Sequence, residues 1–181
     1  MIRTGERLYI RPFEIGDSEA LLALMLRNRQ LFEQVVPTRL EPFYTLDHQA
    51  SSIELWKQAE QEGRRYTFGI FLKGTDELIG EASLFEIVRG PLQKAMLGYC
   101  LDASHNGKGY MTEAIHLVLD YAFREAGLHR IEAGAMPHNT GSIRVLEKVG
   151  FRQEGLAREN VKIQGVWRDH VMFAILESDS R

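Results

Sequence analysis

The amino-acid sequence predicts an α/β (α+β) fold in which helices and strands intermix around a central sheet. Three observations carry that expectation. Apolar residues recur with a period of two in some stretches and with the i, i+3, i+4, i+7 spacing of an amphipathic helix in others. Turn-forming Gly, Pro and Asp residues punctuate the changes of period. The chain has 181 residues, enough to bury one core, with no repeat and no linker-like run, so residues 1–181 are expected to form a single domain.

Leu8 to Phe13 reads as an opening strand, after which Asp17 caps a helix with Ala20, Leu21, Leu24 and Met25 on its apolar face. Residues 33–44 hold two prolines and read as a loop. A second helix is expected over 46–62, with Thr45 as its cap and Gly63 as its stop. From Arg65 the period becomes two, with Tyr66, Phe68, Ile70 and Leu72 alternating, and the Gly74-Thr75-Asp76 turn leads into 77–88 as a hairpin. Beyond Gly90-Pro91 comes a strand over 95–102. Met111, Ala114, Ile115, Val118, Tyr121 and Ala122 then line one face of a helix that ends near Gly127. A strand over 129–136 follows, then a short helix over 139–149 closed by Gly150, and from Phe151 onward two strands joined near Gln164-Gly165.

Composition excludes several classes of function. With 44% hydrophobic and 26% charged residues the chain is neither disordered nor a membrane protein. Its apolar runs, such as Val171 to Leu176, fall far short of the roughly 20 residues that span a bilayer. Lys and Arg total 22 against 25 Asp and Glu, a net charge of -3, so no overall basic field exists to hold a nucleic acid. The N-terminus lacks the pattern of a signal peptide, and the expected location is the cytoplasm. One cysteine, Cys100, forms no internal disulfide, and no Cys/His cluster has zinc spacing.

The segment from Leu101 to Ala114 takes a strand through a glycine-containing turn straight into a helix. That layout aims unpaired backbone N–H groups and the positive end of the helix dipole at one point, which attracts phosphate. Gly107 and Gly109 permit close backbone approach, and Lys108 adds a charge. The plain alternative is a turn that needs glycine for its geometry alone. The spacing fits neither a Walker loop nor a dinucleotide fingerprint, because Thr112 stands three residues after Gly109 and the next glycine is Gly127.

Together with the segment from His138 to Phe151, this loop resembles the GNAT acetyltransferase superfamily, and within it the ribosomal-protein-alanine N-acetyltransferase (RimJ/RimL) branch. The other matching residues are Arg7 to Pro12 with Asp17, Leu97 to Asp102, Thr112-Glu113-Ala114, and Gly165, Trp167, Asp169 and His170. The resemblance implies a mixed, mostly antiparallel sheet of six to seven strands, splayed at the strand near 95–102 and flanked by about four helices. It implies acetyl-CoA as the acetyl donor, without a metal. Tyr99, Cys100 and Leu101 would hold the pantetheine arm, and Gly107, Lys108, Gly109, Tyr110, Met111 and Thr112 would cradle the pyrophosphate. This loop departs from the family's Gln/Arg-x-x-Gly-x-Gly/Ala at Asn106 and at Met111, where the family prefers a small residue.

By the same resemblance Asn139 would contact the cofactor's arm. Ser142 would lie near its sulfur as the acid for the departing thiolate, since Leu146 stands where many relatives have a tyrosine. For both residues helix capping is the alternative. An acceptor ammonium must also lose a proton before it attacks, which a carboxylate with a raised pKa would serve. Glu81, Glu86, Glu132, Glu159 and Asp169 are the candidates. Glu159 comes first because the branch's carboxylate aligns with Val161, two residues on and so on the same strand face. A solvated carboxylate, or one paired with Arg158, is the alternative there.

Among the remaining conspicuous residues, Cys100, Trp56, Tyr66 and Phe68 read as core, and His105 and His138 as loop residues. Trp167 and His170 sit in the final hairpin, where they would close the acceptor end. The implied activity is acetyl transfer to a primary amine by direct attack in a ternary complex, with a protein N-terminus, such as that of a ribosomal protein, as acceptor. A small amine (polyamine, amino acid or antibiotic) and a chain that binds acetyl-CoA without turnover are the other readings. The expected partners are acetyl-CoA and the acceptor, with no nucleic acid or membrane, in a monomer or homodimer.

Overall fold

The period-two stretches form strands and the amphipathic stretches form helices in the computed structural model, which describes residues 2–180. In chain order these are β1 (Arg3–Thr4), β2 (Leu8–Pro12), α1 (Ser18–Arg27), α2 (Arg29–Phe32), α3 (Leu46–Gln61), β3 (Tyr66–Leu72), β4 (Leu78–Val88) and β5 (Lys94–Leu101). Then come α4 (Tyr110–Arg124), β6 (Arg130–Ala135), α5 (Thr140–Val149), β7 (Arg152–Ile163) and β8 (Val166–Leu176). Thr45 caps α3 as its position predicts, its Oγ1 accepting the His48 N–H at 3.3 Å. Among the described residues no helix is long and apolar enough to cross a membrane.

The α/β class and the mostly antiparallel sheet are as expected, with two additions. Among the described residues the sheet has eight strands rather than six to seven, because Arg3 and Thr4 pair with Ile10 and Tyr9. A two-residue strand is too short to show an alternating pattern, which is why sequence periodicity misses it. The second addition is α2, one helical turn beside the four predicted helices. The loop of residues 33–44 ends in a 3-10 turn, Glu41–Tyr44, with Pro42 in its first positions.

Strand order is β1-β2-β3-β4-β5-β6-β8-β7, and every neighbouring pair is antiparallel except β5 and β6. That parallel pair needs a crossover, which α4 supplies. Its pairing is short: Lys94, Ala95 and Met96 face Arg130, Ile131 and Glu132, and there it stops. β4 stays with β5 as far as Leu101, while β6 continues beside β8 to Ala135. From Leu97 onward β5 therefore has a free edge, and the sheet is splayed where the resemblance implies.

The two faces of the sheet are covered by different helices. Ile115 and Val118 of α4 and Leu146 of α5 pack on Phe68, Ile70, Ala82 and Leu84. Leu21, Leu24 and Met25 of α1 and Ile53 of α3 pack on Phe13, Phe71 and Leu78, with Cys100 at the margin. These residues lie at the centre of each interface, and burying such a side chain is worth roughly 1.5–3 kcal/mol. The splay thus opens between two packed layers, one carrying α4 and α5 and the other α1 and α3.

Candidate functional site

The loop after β5 is held from several directions. Asp102 accepts the Ser104 N–H at 3.0 Å and pairs with Arg27 of α1, and Asn28 Oδ1 accepts the Ala103 N–H at 2.9 Å. Burial pushes the Asp102 carboxyl up, but Arg27 and Ser104 outweigh it and hold the group down at about 2. The chain then turns through Gly107 and Gly109, at φ of 76° and 81°, and Gly109 becomes the N-cap of α4. Left-handed dihedrals of this kind are open to glycine at little cost. Glu113 N–H is the first to bond back into the helix, to the Gly109 carbonyl at 3.1 Å. Among the described residues, the backbone N–H groups of Gly107 through Thr112 have no partner. They form a row of donors at the positive end of a 15-residue helix.

Met111, the bulky departure from the family pattern, is 4% exposed and lies in the core beneath α4. Its side chain points away from the donor row, so its size does not obstruct the loop.

A residue that sequence reasoning passed over braces this loop. Arg7, at the entry to β2, donates Nη1 to the Lys108 carbonyl at 2.8 Å and Nε to Glu113 Oε2 at 2.9 Å, and stacks 4.7 Å over the Tyr110 ring. The Arg7 backbone N–H also reaches Glu113 Oε1 at 2.8 Å. Burial pushes Glu113 up, but these bonds hold its carboxyl below the ordinary value. The contact joins residues about a hundred positions apart, and the only signal in the sequence was that both belong to matching segments.

The splayed strand reaches α5 through Tyr99, whose hydroxyl contacts Ser142. Tyr99 lies on the α4 and α5 side of β5, and its hydroxyl is 2.8 Å from Ser142 Oγ. Burial pushes the Tyr99 phenol up to about 12, so it stays protonated at neutral pH and can donate. Asn139 is the N-cap of α5, with Oδ1 accepting the Ser142 N–H at 3.2 Å. Asn139 therefore does cap the helix, and its amide NH2 has no partner among the described residues.

Tyr99, Asn139 and Ser142 are thus brought together; Glu159 stands apart from them. It shares a cleft of about 300 Å³ with Met136, Pro137, His138, Trp167, Arg168 and Asp169. The period-two argument that aligned it with Val161 does not carry through, because β7 bulges there. Ala157 pairs with His170 and Val161 with Arg168, so three residues of β7 oppose Asp169 alone. Glu159 takes a φ of 49° in the bulge, and its N–H is held by Asp169 Oδ1 at 2.8 Å.

The other carboxylates separate by environment. Glu132 is tied to Lys94 at 3.0 Å and to Arg130 at 2.8 Å, which hold it below the ordinary value against the upward push of burial. Glu86 is exposed in a bulge of β4, at φ 50°. Glu81 is half-buried opposite Cys100, with its carboxyl pushed up by burial. His170 is buried with Nδ1 3.2 Å from the Arg168 carbonyl, and Trp167 is 55% exposed beside the cleft. Thr38, in the loop of residues 33–44, accepts the Gln164 N–H at 3.1 Å and so bridges to the turn between β7 and β8.

Comparison with known proteins agrees with this arrangement. A family profile described as "Acetyltransferase (GNAT) domain" matches residues 7–152. The chain is 53% identical over 175 residues to "Probable N-acetyltransferase YjcK" of Bacillus subtilis (strain 168), covering 97% of each. It is 32% identical over 176 residues to the ribosomal protein uS5-alanine N-acetyltransferase of Escherichia coli (strain K12), covering 97% of this chain and 91% of that one. Mycobacterium smegmatis RimJ, solved in complex with CoA-disulfide, superposes with a TM-score of 0.90 at 31% identity, covering 98% of this chain and 86% of that chain. The free edge of β5, the donor row at α4 and this full-length likeness make the chain a member of the GNAT family and an N-acetyltransferase.

Proposed function

We propose that this enzyme acetylates the N-terminal α-amino group of a protein, such as a ribosomal protein, in the cytoplasm. The observation that carries the reading is the cleft between the turn at Met136–His138 and the last hairpin, which we take as the acceptor's entry. It carries two carboxylates, Glu159 and Asp169, against one cation, Arg168, and is bordered by the ring of Trp167. Such a cleft suits a cationic chain end followed by a short stretch of polypeptide. The full-length likeness to a ribosomal-protein acetyltransferase supports the same choice.

The residues present fit acetyl-CoA. The donor row of Gly107 to Thr112 would hold its pyrophosphate, and a Cβ on Gly107 would meet nothing within 4 Å, so the outer side of the loop is open. The backbone of Tyr99, Cys100 and Leu101 would take the pantetheine arm along the free edge of β5, with the Asn139 amide beside it. When bound, acetyl-CoA supplies a thioester carbon for the amine to attack. The Tyr99 hydroxyl lies 2.8 Å from Ser142 Oγ, where either oxygen can donate, and 3.3 Å from the Ser142 carbonyl; with Tyr99 as the donor to Oγ, the Ser142 proton would be free for the developing thiolate. Glu159, without an ion pair among the described residues, draws the acceptor's ammonium into the cleft.

Thiol release from acetyl-CoA, measured with N-terminal peptides beside polyamines, amino acids and aminoglycosides, tests the reading. Peptides beginning with alanine or serine are expected to accelerate release most. A small amine that outperforms every peptide would replace the acceptor class. Tight CoA binding with no accelerating acceptor would point to a sensor instead.

A further inference from the structure

Glu81 stands in the middle of the sheet, with Gly69 of β3 and Cys100 of β5 as its register partners. Ala82 and Leu84 belong to the core under α4, whereas Cys100 packs with α1 and α3, so alternation directs the Glu81 side chain to the α1 and α3 side. That side chain is partly buried, yet among the described residues it makes no hydrogen bond and no ion pair. A carboxylate in such a place is ordinarily paired, because leaving it alone costs free energy.

The charged and titratable groups around it do not supply the partner. Arg65, leading into β3, spends Nε on Thr67 Oγ1 at 2.9 Å and Nη2 on Ser83 Oγ at 3.1 Å. Arg39, in the loop of residues 33–44, rests on Met25 Sδ at 3.3 Å with its guanidinium 4.2 Å over the Phe43 ring. Both lower the Glu81 pKa, but burial outweighs them and the carboxyl is raised. Burial, reinforced by Glu81 itself, pushes the Cys100 thiol up, so it stays neutral beside Glu81.

We propose that Glu81 is the general base of the reaction, receiving the acceptor's ammonium over Cys100 and taking its proton. The inference rests on the amine-acetyltransferase reading above. Cys100 lies on the free edge of β5, so an amine reaching the splay from the α1 and α3 side arrives about 4.8 Å, one strand spacing, from the Glu81 backbone. One N–H bond of the ammonium breaks and its proton passes to Glu81, leaving a neutral amine. The nitrogen lone pair forms the bond to the acetyl carbon, and the carbon–sulfur bond breaks with its electrons on sulfur. The second nitrogen proton ends on that sulfur by way of the Ser142 hydroxyl, and Glu81 returns its own proton to solvent.

The test compares wild type and Glu81→Gln as full-length enzymes, with an alanine-initiated hexapeptide and with hydroxylamine, which is already unprotonated at neutral pH. Peptide turnover is expected to fall about 100-fold or more in the variant, the usual scale of general-base catalysis. Acetyl-CoA affinity by calorimetry and turnover of hydroxylamine are expected to stay close to wild type, which a merely structural role would not produce. Undiminished peptide turnover, or equal losses with both acceptors, overturns the assignment. Carbon-13 titration of the glutamate carboxyls in the wild-type protein decides the matter even if the variant fails to fold. A Glu81 carboxyl titrating at or below the ordinary glutamate value rules it out as a base of this kind. If wild type turns over a small amine and no peptide, the N-terminus reading falls while the same comparison, run on that amine, still judges Glu81.

Discussion

Replacing Gly109 with valine strikes the donor row at the residue that opens α4. Gly109 sits at φ 81°, and forcing a side chain into the left-handed region costs about 1–2 kcal/mol. The added Cβ would also lie 3.3 Å from Arg7 Nη2, on a guanidinium already committed to the Lys108 carbonyl and to Glu113. For a chain of this size about 1 kcal/mol corresponds to roughly 2–4 °C, so the melting temperature should fall by about 2–8 °C. A hydrogen bond to a charged group is worth about 1.5–3 kcal/mol, and displacing one N–H from the row should weaken acetyl-CoA binding roughly 10- to 150-fold. Calorimetric titration with acetyl-CoA and a thermal melt measure the two effects separately. Gly74→Val is the control: its φ is 85°, nothing lies within 4 Å of its added Cβ, and it should lose stability without losing affinity. A folded Gly109→Val protein with wild-type affinity for acetyl-CoA would refute the phosphate-cradle reasoning.

Ser142→Ala should lower turnover by about 100-fold while acetyl-CoA affinity changes little, and a wild-type rate across the accessible pH range would remove Ser142 as the acid. Arg7→Gln gives up the bonds to the Lys108 carbonyl and to Glu113 and should weaken acetyl-CoA binding without touching the acceptor cleft. Unchanged binding by calorimetry would show that the loop holds its shape without the arginine. Asp102 gives a pH signature: its folded value of about 2 lies below the ordinary aspartate value of 3.8, so its stabilising effect is present above the unfolded value and is lost as pH falls from about 4 toward 2. Asp102→Asn should flatten that part of a melting-temperature-versus-pH curve, and a parallel curve would deny the Arg27 pair any role in acid stability.

GNAT architecture explains why so few side chains need to be dedicated to the cofactor. A free strand edge and the first turn of a helix both present unpaired backbone groups, and here β5 and α4 are joined by one short loop. The side chains are left to brace that loop, as Arg7 and Asp102 do, and, in the mechanism proposed above, to manage protons on either side of the splay. Tyr99 and Ser142 lie on the α4 and α5 side, Glu81 on the other.

Much of this was legible in the sequence because its signals are local. Alternation at Tyr66 to Leu72, the cap at Thr45, the glycines at 107 and 109 and the Asn139 to Ser142 helix start each depend on a few neighbouring residues, and each formed the predicted local structure. Tertiary structure decided which of these pieces touch. Arg7 braces a loop about a hundred residues away, and Tyr99 reaches Ser142 across the splay. Among the described residues Glu81 stands unpaired because register sets it opposite Cys100 while its nearby arginines are engaged elsewhere. The bulge in β7 broke the parity that had aligned Glu159 with Val161, since one inserted residue or two reverse or restart an alternation that the sequence alone displays as continuous. Periodicity and capping are properties of a segment and can be read from it; strand order, register and the pairing of distant charges are properties of the whole packed chain.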